Sequence, residues 1–161
     1  MLNKIEVTNA QGTMLPLSLV NPDLGFKVRD VEGLDPVKAT IVSSSQALLD
    51  AKVFQSWQRE ERNIKIKLGV EPDWILTTVE GLREQLYDFF MPKTTLAQKY
   101  YRDGKPPVDI FGYVESFDFP LFTADPVGTV SIICLDSDFV DPVPVILIGA
   151  TVSSLIETPY V

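Results

Sequence analysis

The chain has 161 residues, 45% of them hydrophobic and 22% charged, with twelve Pro, nine Gly and one Cys. This composition fits one globular domain with its own core and excludes a disordered chain, a disulfide framework and a collagen-like repeat. The formal charge of −8 is lopsided: residues 1–102 carry 13 acids and 13 bases, whereas residues 103–161 carry nine acids and one base, Lys105. A chain without a basic patch is a poor reader of DNA or RNA and a poor ligand for anionic membranes.

The first residues alternate like a strand and lack the apolar stretch of a secretory signal, so none is expected. Lys4-Ile5-Glu6-Val7-Thr8 and Met14 to Val20, separated by Asn9-Ala10-Gln11-Gly12, predict a β-hairpin in which Pro16 marks an edge or bulge. Phe26 to Val31 and Val37 to Ser43 alternate apolar and polar residues, on either side of Gly33-Leu34-Asp35-Pro36. Residues 43–58 are polar and are expected to be loop. Arg62 to Leu68 is the cleanest alternation, with Ile64, Ile66 and Leu68 facing inward and Arg62, Asn63, Lys65 and Lys67 mostly outward.

A helix is predicted over about residues 78–90. Thr77-Thr78-Val79-Glu80 offers a capping box, Val79, Leu82, Leu86, Phe89 and Phe90 recur at helical spacing, and Pro92 ends the pattern. Thr94 to Tyr101 and Val108 to Phe119 flank an Asp103-Gly104 turn, and Val127 to Leu135 is a further strand. Cys134 within that strand reads as a small core residue. The count, eight or nine short strands and one helix, gives a mainly β fold of the α+β kind: a β-sandwich or split barrel with the helix packed on it.

The absence of His removes the side chain most used in acid–base catalysis and metal binding, and no glycine-rich phosphate loop is present. No catalytic, cofactor-binding or metal-binding residue is therefore assigned. Asp136, Asp138 and Asp141 lack the Gly and Glu that a calcium-binding EF-hand loop needs at its sixth and twelfth positions. Trp57, Trp74, Phe111, Tyr113, Phe117, Phe119 and Phe122 suggest either a sugar-stacking platform or core and interface packing, and the second reading is preferred.

Gly33 to Ala39, Arg59 to Ile64, Phe89 to Lys93, Gly112 to Phe117 and Ile132 to Asp136 occur in an order that resembles the distal tail proteins of long-tailed bacteriophages. The resemblance covers residues 1–142. It implies a structural virion protein, made in the host cytoplasm and placed at the tail tip. Six copies would form a ring joining the tail tube to the tail-tip or baseplate proteins around the DNA channel. A host-wall carbohydrate-binding module, or a tail-tube or tube-terminator subunit, is the alternative. The domain expected is residues 1–142. Residues 143–161 are expected to be an apolar strand or linker, either the start of the second sandwich domain that such proteins usually carry or an arm that pairs with a neighbour.

The mixed-charge run Arg59, Glu60, Glu61, Arg62 and the apolar Val145, Ile146, Leu147, Ile148 are the candidate subunit contacts. Val145 to Ile148, an apolar run that none in the chain exceeds, is too short to span a bilayer. The acids Asp103, Asp109, Glu115, Asp118 and Asp125 are expected either to line the channel, where negative charge repels phosphate, or to face outward.

Overall fold

The computed structural model describes residues 1–19, 25–45, 52–73, 75–120, 123 and 125–141. Seven strands close into a barrel in the order β1 (Leu2–Asn9), β2 (Met14–Ser18), β3 (Phe26–Glu32), β6 (Arg62–Val70), β9 (Val127–Cys134), β8 (Lys105–Asp118), β7 (Thr95–Arg102) and back to β1. The remaining strands, β4 (Ala39–Ser45) and β5 (Lys52–Arg59), form a separate two-stranded sheet, and one helix, α1 (Val79–Phe89), lies between β6 and β7 in sequence. The barrel wall is antiparallel except between β2 and β3. There the strands run parallel, joined among the described residues by the single pair Ser18↔Lys27. Pro16 in β2 has no amide hydrogen to give a neighbour on that side, so the thin seam falls where the sequence marks an edge.

Period-two alternation fills the barrel. Ile5 and Val7 of β1, Leu17 of β2, Val28 of β3, Ile64, Ile66 and Leu68 of β6, Leu96 of β7, Ile110 and Val114 of β8, and Val130 and Ile132 of β9 are all buried. Space for them is made by Gly112, where a Cβ would come within 2.8 Å of the Cys134 sulfur. The interior also holds a short polar chain. The Tyr100 hydroxyl donates to Gln98 Oε1 at 2.6 Å, and Gln98 Nε2 lies 3.9 Å from Cys134 Sγ, so these three side chains satisfy one another.

Helix α1 covers the end of the barrel where β6 finishes and β3 and β9 begin. Leu82, Leu86 and Phe89 are its buried stripe. Leu82 sits against Gly25, 3.0 Å from where a Cβ would stand, and Phe117 packs edge-on to Tyr87 at 5.0 Å and near Phe90 at 5.9 Å. The N-cap is Thr78, whose hydroxyl accepts from the Gly81 amide at 3.2 Å. The capping-box expectation is thus shifted by one residue. Thr77 accepts from the Asp73 amide instead, and the third helical position is Gly81, which has no side chain to reach back.

Three expectations are corrected. The described residues within 43–58 are strand, not loop: β4 runs to Ser45 and β5 fills Lys52–Arg59. Their alternation is hidden because nearly every residue is exposed, and because the register jumps between Val42 and Ser43, leaving Gln55 as an extra residue. Arg62 shares the inward face with Ile64 and is buried, not outward. In β8 a second register shift, between Val114 and Ser116, splits the aromatics: Phe111 and Tyr113 point to solvent, whereas Phe117 and Phe119 turn toward the helix-covered end.

Candidate functional site

The chain leaves the barrel at the end of β3, forms the β4–β5 hairpin, and returns at the start of β6. Because Glu32 and Lys65 already pair across β3 and β6, the hairpin is an arm projecting from the barrel end opposite α1. At about 3.3 Å per residue its strands reach about 25 Å. Cross-strand pairs Ile41↔Trp57, Ser43↔Phe54 and Ala39↔Arg59 define one face of the arm. Ile41 is 67% exposed, Phe54 59% and Trp57 58%. The other face is lined by Thr40, Val42, Ser44, Val53, Ser56 and Gln58. Among the described arm residues the charged ones are Lys52 and Arg59, so the aromatic face is also basic. The Arg59 guanidinium lies 5.4 Å from the Trp57 ring centroid.

The sequence-derived contact run sits at the root of this arm. Arg59 pairs with Asp138, and the Glu60 amide donates to the Lys38 carbonyl at 3.1 Å while its carboxylate accepts from the Thr40 hydroxyl at 2.9 Å. Glu61 is exposed. These three residues line a polar groove of about 700 Å³ between the arm root and the barrel wall, together with Asn63, Glu115 and Ile133. Arg62 is turned into the molecule and is buried. Val145, Ile146, Leu147 and Ile148, as well as Trp74 and Phe122, lie outside the described residues.

A second apolar area lies on the barrel wall, where Phe111 (55% exposed) and Tyr113 pack edge to face at 6.4 Å, flanked by Ala97 and Met14. The acids of the C-terminal third are spread along the length of the barrel. Asp103 meets the N-terminal amine and Asn3 at the arm end, whereas Asp125 pairs with Arg29 at the helix end, 3.1 Å away. Glu115 accepts from the Ser131 hydroxyl at 2.8 Å.

Ionisation in and on the barrel serves structure. Burial pushes the Cys134 thiol up to about 11, so it is neutral and unreactive at ordinary pH, and burial likewise raises the Tyr100 phenol. Tyr101, on the wall, is raised to about 12 by its hydrogen bond to Glu6. Burial acts upward on Glu6, but bonds from Lys4 and Tyr101 outweigh it and leave the carboxyl below its usual range. No group of three or more carboxylate, Cys or His side chains among the described residues could hold a metal ion. The surface chemistry that stands out is that of contact: an aromatic, basic arm and an aromatic patch on the wall.

No family model and no curated protein matches the chain. Solved structures do. The fold matches the Dit (gp 19.1) protein of SPP1, described as a hub adsorption apparatus in phages infecting Gram-positive hosts, with a TM-score of 0.56 and 18% identity over 83% of this chain and 50% of that one. It also matches a chain of the phage P2 baseplate in its activated conformation with Ca, with a TM-score of 0.63 and 12% identity over 84% of this chain and 45% of that one. The same baseplate with Sr gives 0.60 and 12% over 82% and 44%. The chain therefore has the fold of phage hub and baseplate proteins and spans about half the length of each.

Proposed function

We propose that the chain is a structural subunit of a phage tail hub, repeated head to tail in a ring of six between the tail tube and the tail-tip proteins, around the DNA channel. The observation that carries this reading is the arm. A hairpin about 25 Å long that exposes Ile41, Phe54 and Trp57 on one face leaves apolar area uncovered in the single chain. A neighbouring copy covers such a face in a heterologous ring, where one surface meets a different surface of the next subunit. The shared fold with hub and baseplate chains supports the same reading. The groove residues Arg59, Glu60 and Glu61 would flank the contact.

Placement at the tail tip and partnership with tube and tip proteins follow from this reading. No catalytic step belongs to it. Negative-stain imaging and mass photometry of the purified chain, with antibody labelling of virions that carry it, test the proposal. Ring-shaped particles of six copies and label at the tail tip are expected. A chain that stays monomeric at high micromolar concentration, or label found elsewhere on the virion, would overturn it.

A further inference from the structure

The buried guanidinium of Arg62 lies where three pieces of chain converge. Its Nη1 donates to the Gly33 carbonyl and the Asp35 carbonyl, both at 2.7 Å, and its Nε donates to the Ser137 carbonyl at 2.9 Å. The Phe139 ring stacks over it, 4.7 Å from centroid to guanidinium carbon, and Phe139 in turn packs edge-on against Tyr100 of the barrel interior at 5.7 Å. Gly33 and Asp35 belong to the entry into the arm. Arg62 itself opens β6, directly after the arm's exit, and Ser137 and Phe139 belong to the segment that leaves β9.

Gly33 has a φ of +88°, and a Cβ there would lie 2.0 Å from the Asn63 carbonyl oxygen, so its backbone is pressed against β6 in a form that only glycine adopts without strain. Two further braces run parallel to the first: Arg59 pairs with Asp138, and the Val140 amide and carbonyl bridge to Asp109 on β8 at 2.8 Å each. The segment after β9 is thus pinned to the barrel at one end and to the arm root at the other.

The geometry assigns to Arg62 the role of the positioning residue for the arm: it fixes the direction of the β4–β5 hairpin by tying its entry to the segment that follows β9. A guanidinium suits this task because its planar fork serves several carbonyls in fixed directions while its face meets a ring, and a lysine ammonium offers no such fork. Whatever moves residues 136–141 then moves the arm, and an arm already held in place loses less freedom when it docks. That consequence for assembly rests on the hub reading, whereas the lock is a property of the single chain.

Paired spin labels at Ser43→Cys on the arm and Lys65→Cys on the wall, spin-diluted with unlabelled chain, measure the arm's direction. A Gln11→Cys and Lys65→Cys pair reports the barrel alone. The parent chain should give a narrow arm distribution. In Arg62→Met it should widen at least twofold with the barrel pair unchanged, and Arg62→Lys should not restore it. Phe139→Leu should widen it partly, and this variant decides the matter if Arg62→Met does not fold. A narrow arm distribution in folded Arg62→Met, or in Phe139→Leu where that variant decides, would overturn the assignment, as would equal widening of both pairs. A chain that never forms rings yet shows the Arg62-dependent arm would refute the hub reading and leave this one standing.

Discussion

Replacing Phe54 and Trp57 together by Ser is expected to abolish assembly while sparing the fold. Aromatic side chains of about 150–250 Å² that are 59% and 58% exposed leave roughly 230 Å² for a partner to cover, about 6 kcal/mol per contact at ~25 cal/mol/Å². Association entropy and imperfect burial take back part of this, so a weakening of at least about 100-fold, near 3 kcal/mol, is the working expectation. The same exposure means that the folded single chain gains little from either ring, and surface changes of this kind usually shift stability by less than about 0.5 kcal/mol. Sedimentation velocity across a concentration series reads the assembly, and thermal melting of the dissociated chain reads the fold. Equal assembly of parent and variant would refute the reasoning, and so would a large drop in melting temperature, because the rings would then be supporting their own chain.

Leu86, fully buried in the middle of α1, should lose about 2–5 kcal/mol on replacement by Ala, measured by urea unfolding. A loss under about 1 kcal/mol would mean that the helix does not close the barrel end. Cys134 gives a pH prediction. Burial raises its pKa in the folded chain to about 11, above the ordinary thiol value of 9.0, so the associated stability is fully present below pH 9. It should be lost at about 1.4 kcal/mol per pH unit as the pH rises toward 11. Cys134→Ala should flatten that part of the alkaline stability profile, and a slope unchanged by the substitution would contradict the burial of the thiol.

The barrel was legible because its strands bury one face. In β6 the pattern Ile64, Ile66, Leu68 is the inward face itself, and the same logic found β1, β3, β7 and β9 and the stripe of α1. Of the arm, β4 falls largely within the alternating run Val37 to Ser43, whereas β5 was not legible, for the converse reason. Period two reports a difference between wet and dry faces, and β5 has no dry face in the single chain. The bulge at Gln55 further places Phe54 and Trp57 on one side at a spacing of three, which reads as no pattern at all. Arg62 escaped because a charge is assigned outward by default, although three main-chain carbonyls and a ring make its burial tolerable. The groove residues Arg59, Glu60 and Glu61 were singled out by alternating charge alone, and the structure gives them a location at the arm root.

The direct pairing of β3 with β6 makes residues 33–61 an excursion within what is otherwise one β-hairpin of the barrel wall. In terms of chain design, the barrel and the arm are separable modules that share one junction. A short Asn-Gly turn in place of residues 36–61 would keep the register of Phe26↔Val70 and Glu32↔Lys65, because residues 33–35 supply the three positions needed opposite Ile64, Asn63 and Arg62. Conversely, the arm can lengthen, shorten or change its exposed side chains without disturbing the packing of Ile64, Ile66 and Leu68. The wall can then stay constant while the arm diverges in length and sequence, so contact specificity can change faster than the fold that carries it.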